Sequence, residues 1–283
     1  MADFIQLAVN GILLGGFYAL LGVGMTMIFG IVGLTNLAHG DFVILGAYFS
    51  TLLGAWLGVE PILSLAVTIP LMFLLGMLLQ SGLINRVMEK GSEPALLVTF
   101  GLSIILQDAA LLLFSADARH ISAAYSLETL HLGGIDISLL NVILFLISAV
   151  CLLILSLFLS KTYTGRAIRA VSDDPQAAML SGVNVRRIYG IAMGIAMATA
   201  AVAGLCVGLK WTFYPSSGGN YLLISFIVVV IGGMGSIAGT FLAGLAFGLA
   251  QVIGGANNGL LVSYLVLLAM LAFRPNGLMN RRQ

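Results

Sequence analysis

Three residues near the start of an apolar stretch have chemistry suited to binding a small polar molecule. Asn36, His39 and Gly40 occupy positions i, i+3 and i+4, so they share one face if this stretch is helical. An amide and an imidazole, together with the free ends of a broken helix, can bind an ammonium and a carboxylate without carrying a fixed charge. The alternative is that these side chains bond neighbouring helices and fix a helix break.

Two further features extend this candidate pathway. Asp108, beside Gln107, falls more than halfway along the charge-poor stretch 95–115. It either lines a pathway or bonds a neighbouring backbone near the outer end of that stretch. Gly233 and Gly235 interrupt a long uncharged run, and glycine tolerates backbone conformations that a helix interior does not. A helix break beside the pathway is therefore expected at these glycines.

The sequence contains no pattern typical of an enzyme. Ser-His-Asp, His-x-x-Glu-His and paired-cysteine arrangements are absent at meaningful spacing, so we predict no catalytic residue and no metal site. A phosphate-binding G-x-x-x-x-G-K-[ST] loop is also absent, because none of Lys90, Lys161 and Lys210 follows a glycine. Cys151 and Cys206 lie in apolar runs, where unpaired packed thiols are expected and a disulfide or metal site is the alternative.

The composition indicates that the bilayer is the solvent for most of this chain. Of its 283 residues, 60% are hydrophobic and 8% are charged, whereas soluble domains carry about 25% charged residues. Several uncharged runs reach the roughly 20 residues that a bilayer-spanning helix needs. Membrane lipid is thus an expected partner, and the net charge of +1 gives no indication of nucleic acid. The N-terminal run lacks a basic n-region and is interpreted as a retained first span.

The predicted fold class is an all-α integral membrane protein, a polytopic bundle of about eight or nine transmembrane segments in a single domain, 1–283. The charge-poor stretches are 4–30, 36–58, 61–84, 95–115, 138–160, 188–210, 221–254 and 259–273. A straight helix over 221–254 would be about 50 Å long, against a hydrocarbon core of about 30 Å. We therefore expect one broken or re-entrant helix, divided into 221–233 and 236–254.

The positions of lysine and arginine predict the orientation. When the 221–254 run counts as two crossings, ten basic residues fall on one side of the membrane and two on the other. The ten are Arg86, Lys90, Lys161, Arg166, Arg169, Arg186, Arg187, Arg274, Arg281 and Arg282, and the two are Arg119 and Lys210. Because basic loops remain in the cytoplasm, the N-terminus is predicted outside and the C-terminus in the cytoplasm. The alternative is that 221–233 re-enters the membrane without crossing it. That would change the number of crossings and hence this orientation.

A short internal similarity connects two of the expected breaks. Residues 31–38 align with residues 231–238 at an offset of 200, with three identities in eight positions. Membrane proteins built from duplicated halves often carry paired helix breaks beside their substrate path. The alignment is consistent with such a repeat, and chance similarity in so biased a composition is the alternative.

The polar stretch 161–187 carries the signals of a short helix. Asp174 suits an N-cap, Pro175 suits the first helical position and Gly182 suits the C-terminal cap. Residues 176–181 would then form roughly two turns.

A second short helix is expected just before it, over 165–171. This helix would carry Arg166 and Arg169 on one face. Two such helices projecting from the membrane would suit docking to a partner protein, and Ala177 and Ala178 would allow close approach. The alternative is a solvated connector whose charge only follows the positive-inside rule.

Four separated motifs occur in a characteristic order along the chain. They are Gly33-Leu-Thr-Asn36-Leu-Ala38-His39-Gly40-Asp41-Phe42 followed by Gly46-Ala47-Tyr48, TGRAIRAVSDDPQAAMLSGVNV at 164–185, GGMGSIAGTFLAG at 232–244, and Arg274-Pro275-Asn276-Gly277-Leu278. Together they resemble the branched-chain amino-acid ABC transporter permeases of the LivH/LivM type. The similarity runs along essentially the whole chain, whose length resembles the LivH-like subunit more than the usually longer LivM-like one.

This resemblance implies a permease subunit of an ATP-binding-cassette importer for branched-chain or other hydrophobic amino acids in the bacterial inner membrane. The implied partners are a LivM-like second permease, two cytoplasmic ATPase subunits that bind the ATP, and a periplasmic solute-binding protein. By analogy with the family, coupling to the ATPase is assigned to Arg166, Arg169, Asp173, Asp174, Pro175, Ala178 and Gly182. The alternatives are a permease of the same family for urea, short amides or another small organic solute, and a stand-alone channel or ion-coupled carrier.

Overall fold

The chain folds into a bundle of long helices with two short helices at one end and a small β-hairpin at the other. The computed structural model describes residues 2–58, 60–88, 90–132, 135–274 and 277–279. The helices are α1 (Ala2–Val32), α2 (His39–Leu57), α3 (Leu65–Leu79), α4 (Asn85–Met88), α5 (Ser92–Phe114), α6 (Leu139–Lys161), α7 (Tyr163–Asp173), α8 (Pro175–Leu180), α9 (Val185–Lys210), α10 (Gly218–Gly232), α11 (Ile237–Ile253) and α12 (Gly255–Phe273). A π-helical segment, Gln80–Ile84, joins α3 to α4.

The two ends of the bundle are fixed by α6. This helix follows the hairpin directly and leads directly into α7, and its 23 residues span about 35 Å. We call these the hairpin end and the α7 end. α1 starts at the hairpin end, where Gln6 donates to the Asp136 carbonyl at 3.4 Å, and it finishes at the α7 end, where the Ser172 hydroxyl donates to the Gly30 carbonyl.

The helix lengths agree with a polytopic membrane bundle. Among the residues that the structure describes, six helical stretches are long and apolar enough to cross a bilayer, including Pro61–Met88 around α3 and Pro215–Gly232, which contains α10; α11 and the main part of α12 are shorter apolar helices. The predicted break in the long uncharged run is confirmed, since α10 ends at Gly232 and α11 begins at Ile237. The segment 33–38, which aligns with this break in sequence, is also irregular and separates α1 from α2.

Glycines allow the two most buried helices, α1 and α9, to pack closely against their neighbours. On α1, a Cβ at Gly15 would overlap the backbone of Gly244 and Leu245 on α11. On α9, a Cβ at Gly204 would overlap the backbone of α2 at Val43. Small residues at such contacts are typical of helix packing in lipid, where backbones must approach closely to gain dispersion energy.

The loop between α5 and α6 departs from the all-α prediction. Strands β1 (Thr129–Leu132) and β2 (Ile135–Ser138) pair in an antiparallel hairpin, with Leu130 opposite Ile137. The sequence of β2, Ile-Asp-Ile-Ser, alternates apolar and polar residues, which is a strand pattern too short to stand out beside the long helical runs.

Candidate functional site

α2 begins inside the bundle rather than at one of its ends. His39, its first residue, donates through Nε2 to the Leu21 carbonyl at 3.2 Å, and Gly24 of α1 lies against its ring. Leu21 and Gly24 precede Gly30 at the α7 end by six to nine residues, or about 9–14 Å along α1. The irregular residues 33–38 therefore lead from the end of α1 back into the bundle.

Asn36, His39 and Gly40 are brought together, but not on one helical face. α2 starts only at His39, so Asn36 lies in the irregular segment and the predicted shared face is wrong. The Asn36 Oδ1 accepts from the Ala38 N–H at 3.1 Å, and its carbonyl accepts from the His39 N–H at 3.2 Å. Such a side-chain turn ahead of a helix fixes the entry of the chain. Gly40 lies against the carbonyl oxygen of Gly218, the first residue of α10.

Two polar atoms at this position are buried without a partner. Asn36 and His39 are 0% and 1% exposed. The Asn36 Nδ2 and the His39 Nδ1 have no hydrogen-bond partner among the residues that the structure describes. Because the imidazole donates through Nε2, its Nδ1 is an acceptor. One donor and one acceptor are thus free to bind a polar group, which is the chemistry predicted for a pathway; that role itself stays a prediction.

Asp41 is a buried polar residue that the candidate pathway did not include. Its carboxylate accepts from the Ser103 hydroxyl and, at 3.0 Å, from the Gln107 amide, both on α5. It also lies against Gly218, so it contacts the N-terminal ends of both α2 and α10, where a negative charge is favourable. The sequence signal was available, because Asp41 is the acidic residue of the charge-poor stretch 36–58. We call Asn36, His39, Asp41, Ser103 and Gln107 the α2 polar cluster.

The break after α10 lies at the α7 end, away from the α2 polar cluster. Gly233 and Gly235 have positive φ angles of 93° and 86°, which favour glycine. Gly235 packs against Gly30 near the end of α1. The structure therefore does not bring these glycines into contact with Asn36 and His39.

A C-terminal segment, 277–279, completes this break. The Leu278 and Met279 N–H groups donate to the carbonyls of Ile231 and Gly232 at 2.8 and 3.2 Å. Carbonyls in the last turn of a helix lack partners within the helix, so these bonds satisfy the end of α10. Of the terminal motif and the basic residues counted for orientation, Pro275, Asn276, Arg281 and Arg282 lie outside the described residues.

Two arginines fasten α7 to the end of α6. Arg166 and Arg169 donate to the carbonyls of Lys161 and Ser160, each at 3.4 Å. Both side chains thus point toward the end of α6, in agreement with the predicted common face. Cations are favourable beside the unpaired carbonyls of a helix C-terminus. Their part in coupling to another subunit stays a prediction.

A cavity of about 240 Å³ separates α7 from the break after α10. Its lining includes Arg169 and Ser172 of α7, Gly30 of α1, and Gly235 and Ser236 of the break. The Ser172 hydroxyl of α7 donates to the Gly30 carbonyl of α1 and so joins these two helices. A displacement of α7 would therefore act directly on the end of α1.

The predicted caps of α8 are confirmed. The Asp174 Oδ1 accepts from the N–H groups of Gln176 and Ala177 at 2.8 and 3.0 Å, and Pro175 takes the first helical position. Gly182 has a φ of 84° just past the end of the helix, as a C-terminal cap requires. The local sequence signals thus correctly predict where this helix begins and ends.

The exposed side of α8 differs from the one expected. Ala178 is only 5% exposed, so its small side chain allows close approach to the bundle and not to an external surface. Met179 and Leu180, which are not among the predicted coupling residues, are 62% and 88% exposed. Asp173 and Pro175 are exposed beside them. The available signal was a pair of adjacent apolar residues in an otherwise polar stretch.

Asp108 is separate from the other predicted residues. It is exposed on the outward side of α5 and forms no hydrogen bond or ion pair with any residue that the structure describes. The predicted alternative, a bond to a neighbouring backbone, is therefore not formed. Its neighbour Gln107 points inward to Asp41 instead.

The described part of the chain contains no group of three His, Cys, Asp or Glu residues that could hold a metal ion. Cys151 and Cys206 are free thiols, as predicted from their apolar surroundings.

The comparison with protein families gives one match along nearly the whole chain. A family model described as the permease component of the branched-chain amino acid transport system matches residues 7–273. This range covers the α2 polar cluster, α7, α8 and the break after α10.

Individual relatives cover nearly all of the chain. The high-affinity branched-chain amino acid transport system permease protein BraD of Pseudomonas aeruginosa is 30% identical, covering 98% of this chain and 96% of that protein. LivH of Escherichia coli, of the same description, is 29% identical with the same coverage. The ribose import permease protein RbsC of Haemophilus influenzae is 27% identical over 86% of this chain and 73% of its own length. No solved structure matches the chain.

Proposed function

Because the chain belongs to the family of branched-chain amino acid transport permease components, we propose that it is the membrane-spanning permease subunit of an ATP-binding-cassette importer for branched-chain or other hydrophobic amino acids. The observation that carries this proposal is the family match over residues 7–273. BraD and LivH, which it resembles over almost their full lengths, are named as permeases of high-affinity branched-chain amino acid transport.

In the proposed assembly this chain is a single transmembrane permease domain that works with three kinds of partner. These are a second permease, two cytoplasmic ATPase subunits that bind the ATP, and a periplasmic solute-binding protein. The α7 end faces the cytoplasm and the N-terminus lies outside. The charge distribution supports this orientation, since Arg166, Arg169 and Arg187 lie at the α7 end, whereas Arg119 and Lys210 lie at the hairpin end.

The ATPase docks on α7 and α8. The exposed Met179 and Leu180 offer an apolar contact at the tip of a polar segment, where burial against a partner would be favourable. Asp174 holds the helix that presents them, and the two arginines hold α7 against α6. Movement of this unit reaches the bundle through the contact between Ser172 and Gly30.

The solute passes the start of α2. The free donor on Asn36 suits the carboxylate of an amino acid, and the free acceptor on His39 suits its ammonium group. Gly40 allows α2 and α10 to meet there, and the break at Gly233 and Gly235 provides the point where α10 and α11 can change their angle. The start of α2 thus binds the solute, and the break after α10 allows the helices to move.

Reconstitution of the whole complex tests the proposed function. Proteoliposomes that contain both permeases and the ATPase, with the binding protein outside and ATP inside, should accumulate radiolabelled leucine. Omission of the ATPase should abolish accumulation. Leucine uptake by this chain alone would overturn the proposal in favour of a carrier, and uptake of urea in place of leucine would overturn the amino-acid assignment.

The double variant Arg169→Ala/Asp174→Ala tests the coupling site. It should insert normally and assemble, and its complex should hydrolyse ATP while losing most leucine uptake. Arg187→Gln is the control, because Arg187 is another basic residue at the α7 end but is exposed and lies in the first turn of α9. Uptake at the wild-type rate in the double variant would remove α7 and α8 from the coupling mechanism.

A further inference from the structure

One row of residues on the outward side of α5 carries a charged group at membrane depth. Asp108 is flanked on the same helical face by apolar residues and one glycine, at spacings of three, four and seven residues or more. The members of this α5 stripe are Leu97, Gly101, Ile104, Ile105, Asp108 and Leu112. The four apolar side chains are between 47% and 86% exposed.

Asp108 lies within the hydrocarbon region if α5 spans the membrane. Glu93–Phe114 is one of the six helices long and apolar enough to cross a bilayer. Asp108 is six residues from its end, or about 9 Å, and a short carboxylate side chain cannot reach the interface over that distance. An acidic group at such a depth is strongly unfavourable in lipid and therefore faces a protein interior or a water-filled cavity.

The bundle itself does not supply the partner. Asp108 makes no hydrogen bond or ion pair to the residues that the structure describes. The inward side of α5 is already occupied, because Ser103 and Gln107 bond to Asp41. The group that compensates the Asp108 carboxylate must therefore come from outside this chain.

Gly101 adds an independent feature of the same surface. A Cβ at this position would have no atom within 4 Å, so the glycine is not required by packing within this chain. Two turns from Asp108, it leaves a shallow notch on the outward side. Small residues at membrane depth let a second helix approach closely.

From these observations we propose that the α5 stripe is the surface that contacts the second permease subunit, which brings a basic side chain or a hydrogen-bond donor to Asp108. This inference rests on the proposed function, because it takes the second permease from the importer assembly. A transmembrane helix of that subunit would pack at Gly101 and cover the apolar side chains. Its polar group would compensate a carboxylate that lipid cannot solvate.

Site-specific photo-crosslinking in membranes that contain the complete complex tests the surface. A benzophenone amino acid replaces Ile105 or Leu112, and Leu265 of α12, which is 54% exposed, is the control. Ile105 and Leu112 should give an adduct with the second permease, and Leu265 should give none. A complex that co-purifies intact but yields no adduct from the stripe would overturn the proposal. An adduct between two copies of this chain would overturn the choice of a distinct second subunit.

The variant Asp108→Leu should not destabilise the single chain but should weaken the complex. In the purified single chain its thermal midpoint should be unchanged or higher, because the exposed carboxylate has no partner there. In the complex, recovery of the second permease should fall at least tenfold, and Asp108→Glu, which keeps the carboxylate, should retain most of it. Unchanged recovery with Asp108→Leu would show a lipid-facing residue and overturn the proposal. ATP-dependent leucine uptake by the wild-type complex, measured in parallel, separates this outcome from a failure of the proposed function.

Discussion

Two polar regions of this bundle are built on opposite principles. In α8 the polar groups are exposed, and their bonds join residues a few positions apart, such as Asp174 with Gln176 and Ala177. In the α2 polar cluster the polar groups are buried, and Asp41 bonds to α5 residues more than 60 positions away. The first region can form before the bundle does, whereas the second exists only within it.

This difference separates a mobile element from a fixed one. The short, exposed helix α8 can shift at low cost, since its internal bonds move with it. A buried cluster resists movement, because each displaced donor or acceptor would lose its partner without gaining water. The comparison predicts that changes in the α2 polar cluster reduce stability, whereas changes in α8 reduce coupling and leave the bundle intact.

The largest effect is expected where α2 meets α10. In Gly40→Ala the new Cβ would overlap the Gly218 carbonyl oxygen, and two helix starts would have to separate. We expect a loss of about 3 kcal/mol in stability and a much lower yield in membranes. The thermal midpoint of the purified chain measures this loss. Gly219→Ala is the matched control, since a Cβ there has no atom within 4 Å; an equal loss in both variants would contradict the role of this contact.

A smaller loss is expected from the buried carboxylate. Asp41→Ala removes the acceptor of the Ser103 hydroxyl and one of the two acceptors of the Gln107 amide, which should cost about 2 kcal/mol. Unfolding titrations in mixed micelles measure it. In a double-mutant cycle with Ser103→Ala, the two losses should overlap by about 1 kcal/mol. Asp108→Ala in the single chain is the control and should have no effect; strict additivity of Asp41 and Ser103 would show that their bond contributes nothing.

The same contrast explains which features could be predicted from the sequence. Apolar runs predicted the long helices, and Asp174, Pro175 and Gly182 predicted α8, because these signals act between neighbouring residues. Gly233 and Gly235 likewise predicted the break after α10. The position of α2 inside the bundle could not be predicted, since it depends on His39 reaching Leu21 across helices.

The buried state of Asp41 and the inward position of Ala178 have the same explanation. A residue's type and its neighbours in the chain do not specify which helix will pack against it. Asp108 and Gln107 are adjacent in sequence, yet they point to opposite sides of α5 because only one side packs against α2. The sequence thus predicted most of the helices that carry the candidate residues, whereas the contacts between those helices came from the three-dimensional packing.

A local effect is expected from the cap of α8. Asp174→Ala removes the acceptor for two N–H groups and should destabilise α8 by about 1 kcal/mol, while the thermal midpoint of the bundle stays the same. Hydrogen exchange should show amides of α8 exchanging about fivefold faster, with no change in α9. Ser181→Ala, which loses one bond to the Ala177 carbonyl at the other end of the helix, is the control. A lower thermal midpoint for the whole bundle would contradict the independence of this segment.

The smallest effect on stability, and the sharpest test of the comparison, is expected at the tip of α8. Leu180 is 88% exposed, so Leu180→Ser removes almost no buried surface and should change the free energy of unfolding by less than about 0.5 kcal/mol. If this side chain docks in the ATPase, recovery of the ATPase with the permease should nevertheless fall at least tenfold. Met234→Ser is the control, because Met234 is also an exposed apolar residue at the α7 end, in the break after α10. Equal loss of the ATPase in both variants would indicate a diffuse apolar contact, whereas loss with Leu180→Ser alone would assign the docking to α8, the region whose bonds are all local.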